Sequence, residues 1–139
     1  MRILVADDDA VYRRLLEEML GGWGFDVRLV ADGAEALAVM GSDDPPELLI
    51  VDWDMPRMDG FEVTRAVRGE PRTENTYVLL ITGTRSKEDV MQVLVCGADD
   101  YLIKPFDPID LKVHLRAAMR VVELQKELQQ LKRELCSRQ

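Results

Sequence analysis

Five short apolar runs recur along the chain, at residues 3–6, 27–30, 48–51, 78–81 and 101–103. They are aliphatic and often β-branched, and as runs they do not alternate apolar with polar. That pattern predicts strands buried on both faces, as in a parallel sheet. Between them lie segments of helical period, at 11–20, 34–40, 60–68 and 87–95, with a last one starting near Pro108. The order βαβαβαβαβα requires right-handed crossovers and helices on both sides of the sheet. The fold class expected is α/β, a doubly wound five-stranded parallel sheet with an extended fifth helix.

Length and composition agree. A chain of 139 residues with 47% hydrophobic and 32% charged residues suits a single core. No apolar run is long enough to span a bilayer, and acidic residues follow the first run at once, unlike a signal peptide. Cys96 and Cys136 are too few for a disulfide framework or a zinc site. Reduced thiols and a cytoplasmic location are expected. Of the net charge of −8, the last twenty residues contribute five basic and three acidic side chains, which leaves −10 on residues 1–119. So acidic a body argues against direct nucleic-acid binding and is compatible with divalent cations.

In such folds ligands bind beyond the carboxyl ends of the strands. Asp7, Asp8 and Asp9 follow the first run, and Asp52, Trp53 and Asp54 follow the third. Thr82, Gly83 and Thr84 follow the fourth, and Lys104 and Pro105 follow the fifth. Two carboxylates about 4 Å apart repel by about 4 kcal/mol at an effective dielectric near 20. Asp7, Asp8 and Asp52 together must therefore protonate or hold a cation. An all-oxygen set suits a hard ion such as Mg²⁺ (or Mn²⁺), and the Asp54 main-chain oxygen can complete its shell. Asp52, expected to stand exposed on a fixed turn, can attack a phosphoryl group and form an acyl phosphate. Lys104 supplies a point charge for phosphoryl oxygens and Thr82 a hydroxyl donor. Met55-Pro56 and Asp59-Gly60 read as turn formers.

These residues carry a resemblance. The segments ILVADDD at 3–9, LLIVDWDMPRMDG at 48–60, LLITG at 79–83 and GADDYLIKPF at 97–106 occur in the order and spacing of response regulator receiver domains. The chain resembles that family over about residues 2–119. The resemblance implies a flavodoxin-like sheet of order 2-1-3-4-5. It also implies Asp52 as phospho-acceptor, Asp7 and Asp8 as metal-binding acids, and Lys104 as phosphate contact. Thr82 and Tyr101 are implied as a switch pair, and a histidine kinase or histidine phosphotransfer protein as donor. Asp54 stands where the family often has Asn, and Gly83, after Thr82, is the smallest option for its position. Both bear on how long a phosphoryl group would last.

The domains expected are a receiver at 1–119 and a helical extension at 120–139. Asp107-Pro108 is a capping acid with Pro at the first helical position. From 108 to 135 the helix would run about 42 Å, beyond a body about 35 Å across. Leu111, Leu115, Ala118 and Val122 form a stripe suited to the sheet. His114, Ala117, Val121, Leu124, Leu128, Leu131 and Leu135, spaced 3, 4, 3, 4, 3, 4, form a heptad seam. With Glu127 at g and Lys132 at the following e, the seam predicts a parallel homodimer. Helices of this kind in the family commonly lead to an output domain, so the sequence reads as the N-terminal portion of a longer protein, with a stand-alone dimeric receiver as the other option. Two other readings exist. Asp52-Trp53-Asp54 resembles the nucleophile motif of haloacid-dehalogenase-type phosphatases, which in that family follows the first strand. A binding module that is not phosphorylated would act through its coil alone.

Overall fold

A computed structural model describes residues 1–83 and 87–137; Thr84, Arg138 and Gln139 lie outside the described residues. The strands are β1 (Arg2–Ala6), β2 (Asp26–Val30), β3 (Leu48–Asp52), β4 (Tyr77–Thr82) and β5 (Asp100–Ile103). The helices are α1 (Ala10–Gly22), α2 (Gly33–Met40), α3 (Gly60–Arg68), α4 (Lys87–Cys96) and α5 (Pro108–Ser137). All strand pairs are parallel, in the order β2-β1-β3-β4-β5. This is the doubly wound topology that the runs predict.

The centre and the edges of the sheet differ. Every residue of β3 and β4 is buried, as unbroken apolar runs require. In β2 the exposure alternates, with Asp26 and Arg28 in solvent. Only Leu102 of β5 is fully buried. The expectation of strands buried on both faces therefore holds in the interior and fails at the edges, where a strand has one neighbour and its outer side chains meet water. Alternate β-strand residues serve two cores. Ile3, Val5, Leu48, Ile50, Leu79 and Ile81 pack with Leu16, Leu20, Leu111 and Leu115 of α1 and α5. Leu4, Leu49, Val51, Val78 and Leu80 pack with α2, α3 and Val93 of α4.

Four of the many aspartates have a local task. Asp9, Asp32 and Asp59 cap α1, α2 and α3, accepting from the main-chain N–H of Val11, Glu35 and Glu62. Asp107 accepts from Asp110 N at 2.8 Å at the start of α5. Each satisfies a helix-terminal donor, a contribution of about 1 kcal/mol.

At the far end of the sheet, Arg68 ties two loops together, the one before β4 and the one before β5. Its Nε donates to Gly97 O at 2.9 Å, its Nη1 to Thr76 O, and its Nη2 pairs with Asp99 Oδ2 at 2.6 Å. Asp99 Oδ2 also accepts from Val78 N at 2.8 Å. Cys96 is buried, and burial pushes that thiol up from its ordinary pKa.

Helix α5 has 30 residues, about 45 Å of rise. Leu111, Leu115, Ala118 and Val122 are its buried residues, the stripe expected to face the sheet. One turn further, Lys126 Nζ lies 3.5 Å from Glu47 Oε2 at the base of the body. Val121, Leu124, Leu128, Leu131 and Leu135 stand in solvent, from 37% to 62% exposed. His114 departs from the expected seam. It is half-buried against β5, where its Nδ1 bonds Asp100 Oδ2.

Candidate functional site

The site forms where β1, β3, β4 and β5, consecutive neighbours in the sheet, end. Strand β1 hands over to Asp7, which is fully buried. Its Oδ1 accepts from Asp9 N at 2.9 Å, and its carbonyl accepts from Arg13 Nη1 at 2.7 Å. Asp8, next in the chain, is exposed. Asp52 is the last residue of β3. Carboxylate oxygens of Asp7, Asp8 and Asp52 lie within 4.8 Å of one another. Lys104, after β5, reaches back across the sheet, its Nζ 2.9 Å from Asp7 Oδ2 and 3.3 Å from Asp52 Oδ2.

Asp52 is only 7% exposed, contrary to the expectation of an exposed turn. It ends a central strand, and the loop behind it closes tightly. Trp53 N donates to Ile81 O at 2.8 Å, and Gly60 N donates to Trp53 O at 3.0 Å. A Cβ on Gly60 would lie 2.5 Å from the Asp52 carbonyl oxygen, so only glycine fits there. Asp59 and Gly60 are thus the turn formers expected. Asp54 is exposed in the same loop.

Burial, the Asp7 charge and a hydrogen bond with Asp7 push the Asp52 carboxyl up to about 7, against the opposing pull of Lys104. Burial would lower Lys104, but its hydrogen bonds and charge contacts with Asp7 and Asp52 outweigh that and hold it above the ordinary lysine value. One ammonium does not balance three carboxylates. The donor set is all oxygen, converging and short of positive charge, which fits a hard divalent cation that keeps part of its water. A metal would add Lewis-acid charge neutralisation.

Thr82, at the end of β4, is buried, and its carbonyl accepts from Lys104 N at 2.8 Å. That bond joins β4 to the loop bearing Lys104, whose peptide to Pro105 is cis. Gly83 is exposed, with nothing within 4 Å of a Cβ placed there. Tyr101 is half-buried in β5, against the core shared with α3 and α4. The structure therefore gathers Asp7, Asp8, Asp52 and Lys104, and places Thr82 on the adjoining strand end. Residues 121–135 of the seam lie at the opposite end of α5.

Two neighbours of the site lie outside the sequence reading. Lys104 Nζ sits 4.1 Å from the Tyr12 ring centroid, and Tyr12 packs on Phe106. Arg13 fixes the Asp7 carbonyl. Both lie in the first turn of α1 directly after the acids, and that position was the available signal. Arg57, at φ 69°, pairs with Asp32 Oδ2 at 3.6 Å.

Comparison with known proteins agrees with this geometry. The family model described as "Response regulator receiver domain" matches residues 3–116. Response regulator MprA of Mycobacterium tuberculosis is 42% identical over 120 residues, which is 86% of this chain and 51% of that protein. A chemotaxis protein CheY homolog of Campylobacter jejuni is 35% identical over 116 residues, 83% of this chain and 89% of that protein. A putative response regulator from Chloroflexus aurantiacus superposes with a TM-score of 0.81 at 33% identity, over 86% of this chain and 97% of that one. CheY4 of Vibrio cholerae gives 0.79 at 33% identity, over 84% and 97%. The chain spans about half the length of several of the curated relatives, MprA among them. A parallel five-stranded fold with converging acids and one lysine at its strand ends, matched by that model over residues 3–116, belongs to the response regulator receiver family. That family works in phosphorylation-based two-component signalling. No helix among the described residues is long and apolar enough to cross a membrane.

Proposed function

We propose that this chain is a phosphorylation-activated receiver whose phospho-acceptor is Asp52. The observation that carries the reading is the meeting of Lys104 Nζ with both Asp7 and Asp52, beside an exposed Asp8 whose carboxylate lies within 4.8 Å of theirs. Asp7, Asp8, Asp52 and the Asp54 main-chain oxygen would hold Mg²⁺ (or Mn²⁺). The donor would be a histidine kinase or a histidine phosphotransfer protein. An Asp52 carboxylate oxygen bonds to phosphorus, the bond from phosphorus to the donor nitrogen breaks, and that nitrogen leaves with its electron pair. Asp52 sits on rigid backbone, so the protein's part is positioning and charge neutralisation. Lys104 then has the new phosphoryl oxygens to contact.

The Thr82 hydroxyl closes on the phosphate, and Tyr101 turns inward with it. The change reaches α5, where Val121, Leu124, Leu128, Leu131 and Leu135 form the seam of a parallel homodimer that would serve an output domain. Residues 1–119 act as the receiver and 120–139 as the extension. The chain assists its own phosphorylation and dephosphorylation without being a turnover enzyme, and it works in the cytoplasm without binding nucleic acid through this segment. The phosphatase reading is not favoured: Asp52 and Asp54 follow the third strand, and the family match is to receivers. Retention of both acids, Asp52, Thr82 and Lys104 speaks against an inert binding module.

Incubation with acetyl phosphate and Mg²⁺, followed by intact-mass measurement, tests the reading. The chain gains one phosphate and loses it slowly, and Asp52→Asn gains none. Repeated release of phosphate from many esters would establish a phosphatase, and no gain at all an inert module.

A further inference from the structure

Outside the acidic site, one polar chain connects β5 to α5. Asp100 uses both of its carboxylate oxygens. Its Oδ1 accepts from Tyr101 N at 2.8 Å, and its Oδ2 bonds His114 Nδ1. The two side chains are half-buried, 28% and 31% exposed, so the pair is only partly screened by water. Tyr101, Ile103, Pro105, Asp110 and His114 line the same groove. Lys104 N, three residues after Tyr101, bonds Thr82 O. A short path therefore runs from the strand end carrying Thr82, along β5, through Asp100, to the imidazole of His114.

His114 also occupies a particular azimuth on α5. Leu111 and Leu115 beside it are buried in the sheet-facing stripe. At 100° per residue, His114 is rotated about 80° from that stripe, toward Ala117, Val121, Leu124 and Leu128. It stands on the border between the face fixed to the body and the stripe that leads to the seam.

We propose that His114 is a positioning residue that carries the state of β5 to the α5 seam through Asp100. The inference rests on the proposed acceptor role of Asp52 and on the seam dimer, and it adds the residue that couples them. His114 touches neither phosphate nor metal. Its Nδ1 faces a carboxylate that already accepts from the Tyr101 main chain, so the bond holds the imidazole with its proton on Nδ1 when neutral. Movement of Tyr101 reorients the Asp100 carboxylate, and the imidazole follows or loses its partner. Among the described charged groups, Asp110, one turn earlier on α5, is the other carboxylate lining the groove.

The chain has one histidine, which makes the test clean. The 139-residue chain with ¹⁵N-labelled histidine is compared with and without acetyl phosphate and Mg²⁺. Intact mass reports loading, and sedimentation velocity reports dimerisation. The expected wild-type result is an Nδ1–H imidazole whose ¹⁵N signals shift on loading, with a dimer constant that changes about 5- to 150-fold, the usual range of coupling between sites. His114→Phe and Asp100→Asn load phosphate like wild type and keep the seam dimer, but their dimer constants change less than about twofold. Asp100→Asn also frees the imidazole to its Nε2–H form. Imidazole signals unmoved in protein that mass shows to be loaded overturn the coupling role and leave the acceptor reading standing. So does a His114→Phe response equal to wild type, or a wild-type dimer constant indifferent to loading. Absence of loading in wild type overturns the acceptor reading, and the coupling built on it falls too.

Discussion

Lys104 and Asp7 stand 97 residues apart in the chain and meet, Nζ to Oδ2, at 2.9 Å. The contact crosses from β5 over β4 and β3 to the end of β1. It sets the charge balance of the whole strand-end site, because the same ammonium is shared with Asp52.

Removing that ammonium leaves Asp7 and Asp52 facing each other. Lys104→Met is expected to lower stability by about 3–5 kcal/mol in metal-free buffer at pH 8, as for other buried pairs that lose one partner. Mg²⁺ should raise the variant's melting temperature by more than it raises that of wild type. Calorimetry with and without Mg²⁺ checks both, and a variant as stable as wild type without metal contradicts the charge balance drawn here.

Asp52 gives a pH dependence of definite sign. Its carboxyl is raised from 3.8 to about 7 in the folded chain, so the folded state binds the proton more tightly than the unfolded state. The associated stability is fully present below pH 4 and is lost as the pH rises to about 7. Asp52→Asn removes the charge. In metal-free buffer it should be more stable than wild type at pH 8, by at most a few kcal/mol, with the gain fading toward pH 4. Urea unfolding at a series of pH values measures this, and a gain that grows on acidification would reverse the assignment.

Gly60 and Gly21 make a contrasting pair. A Cβ at Gly60 meets the Asp52 carbonyl oxygen at 2.5 Å and Leu80 Cδ1 at 2.8 Å, whereas at Gly21 it meets nothing within 4 Å. Gly60→Ala should destabilise by about 1–3 kcal/mol and weaken Mg²⁺ binding, because the Asp52 backbone must shift. Gly21→Ala, near the end of α1, should stabilise by about 0.4–1 kcal/mol. Denaturant midpoints and a Mg²⁺ titration followed by tryptophan fluorescence distinguish them, since Trp53 adjoins Asp52 and packs on Phe61.

Asp54 is exposed two residues beyond Asp52, the proposed acceptor. Its carboxylate can orient a water toward an acyl phosphate, so Asp54→Asn should lengthen the phosphoryl lifetime several-fold, within the 10²–10⁴-fold ceiling typical of general acid–base assistance. Phosphate loss followed by mass after removal of acetyl phosphate gives the rate. Equal lifetimes would remove Asp54 from the account.

The seam makes its own prediction. Leu128 and Leu131 are 53% and 56% exposed, so Leu128→Glu with Leu131→Glu should leave the melting of the body almost unchanged while abolishing the proposed dimer. Sedimentation of the double variant beside wild type reads both. A wild-type chain that is monomeric at high concentration would refute the coiled-coil dimer.

The sequence carried the fold because its signals are local. The apolar runs of β3 and β4 and the cap at Asp107 are read within a few residues of themselves. Strand order and strand-end position then brought Asp7, Asp52 and Lys104 into one site. What escaped was relational. Whether Arg28 points to water depends on β2 being an edge. The burial of Asp52 depends on the closure of residues 53–60 behind it. His114 fits a heptad count, yet an acid fourteen residues earlier, on β5, claims it. Tyr12 and Arg13 look like ordinary helix residues until Lys104 and the Asp7 carbonyl are in view.

The anchoring of α5 has a consequence for anything attached behind it. Val122 in the core and Lys126 at Glu47 set the azimuth at which the helix leaves the body. Each added residue turns a downstream segment by about 100°, so seven nearly restore its heading and three or four do not. Fusions spliced after Ser137 should work or fail with a rhythm of one heptad, like gears that mesh only at certain teeth.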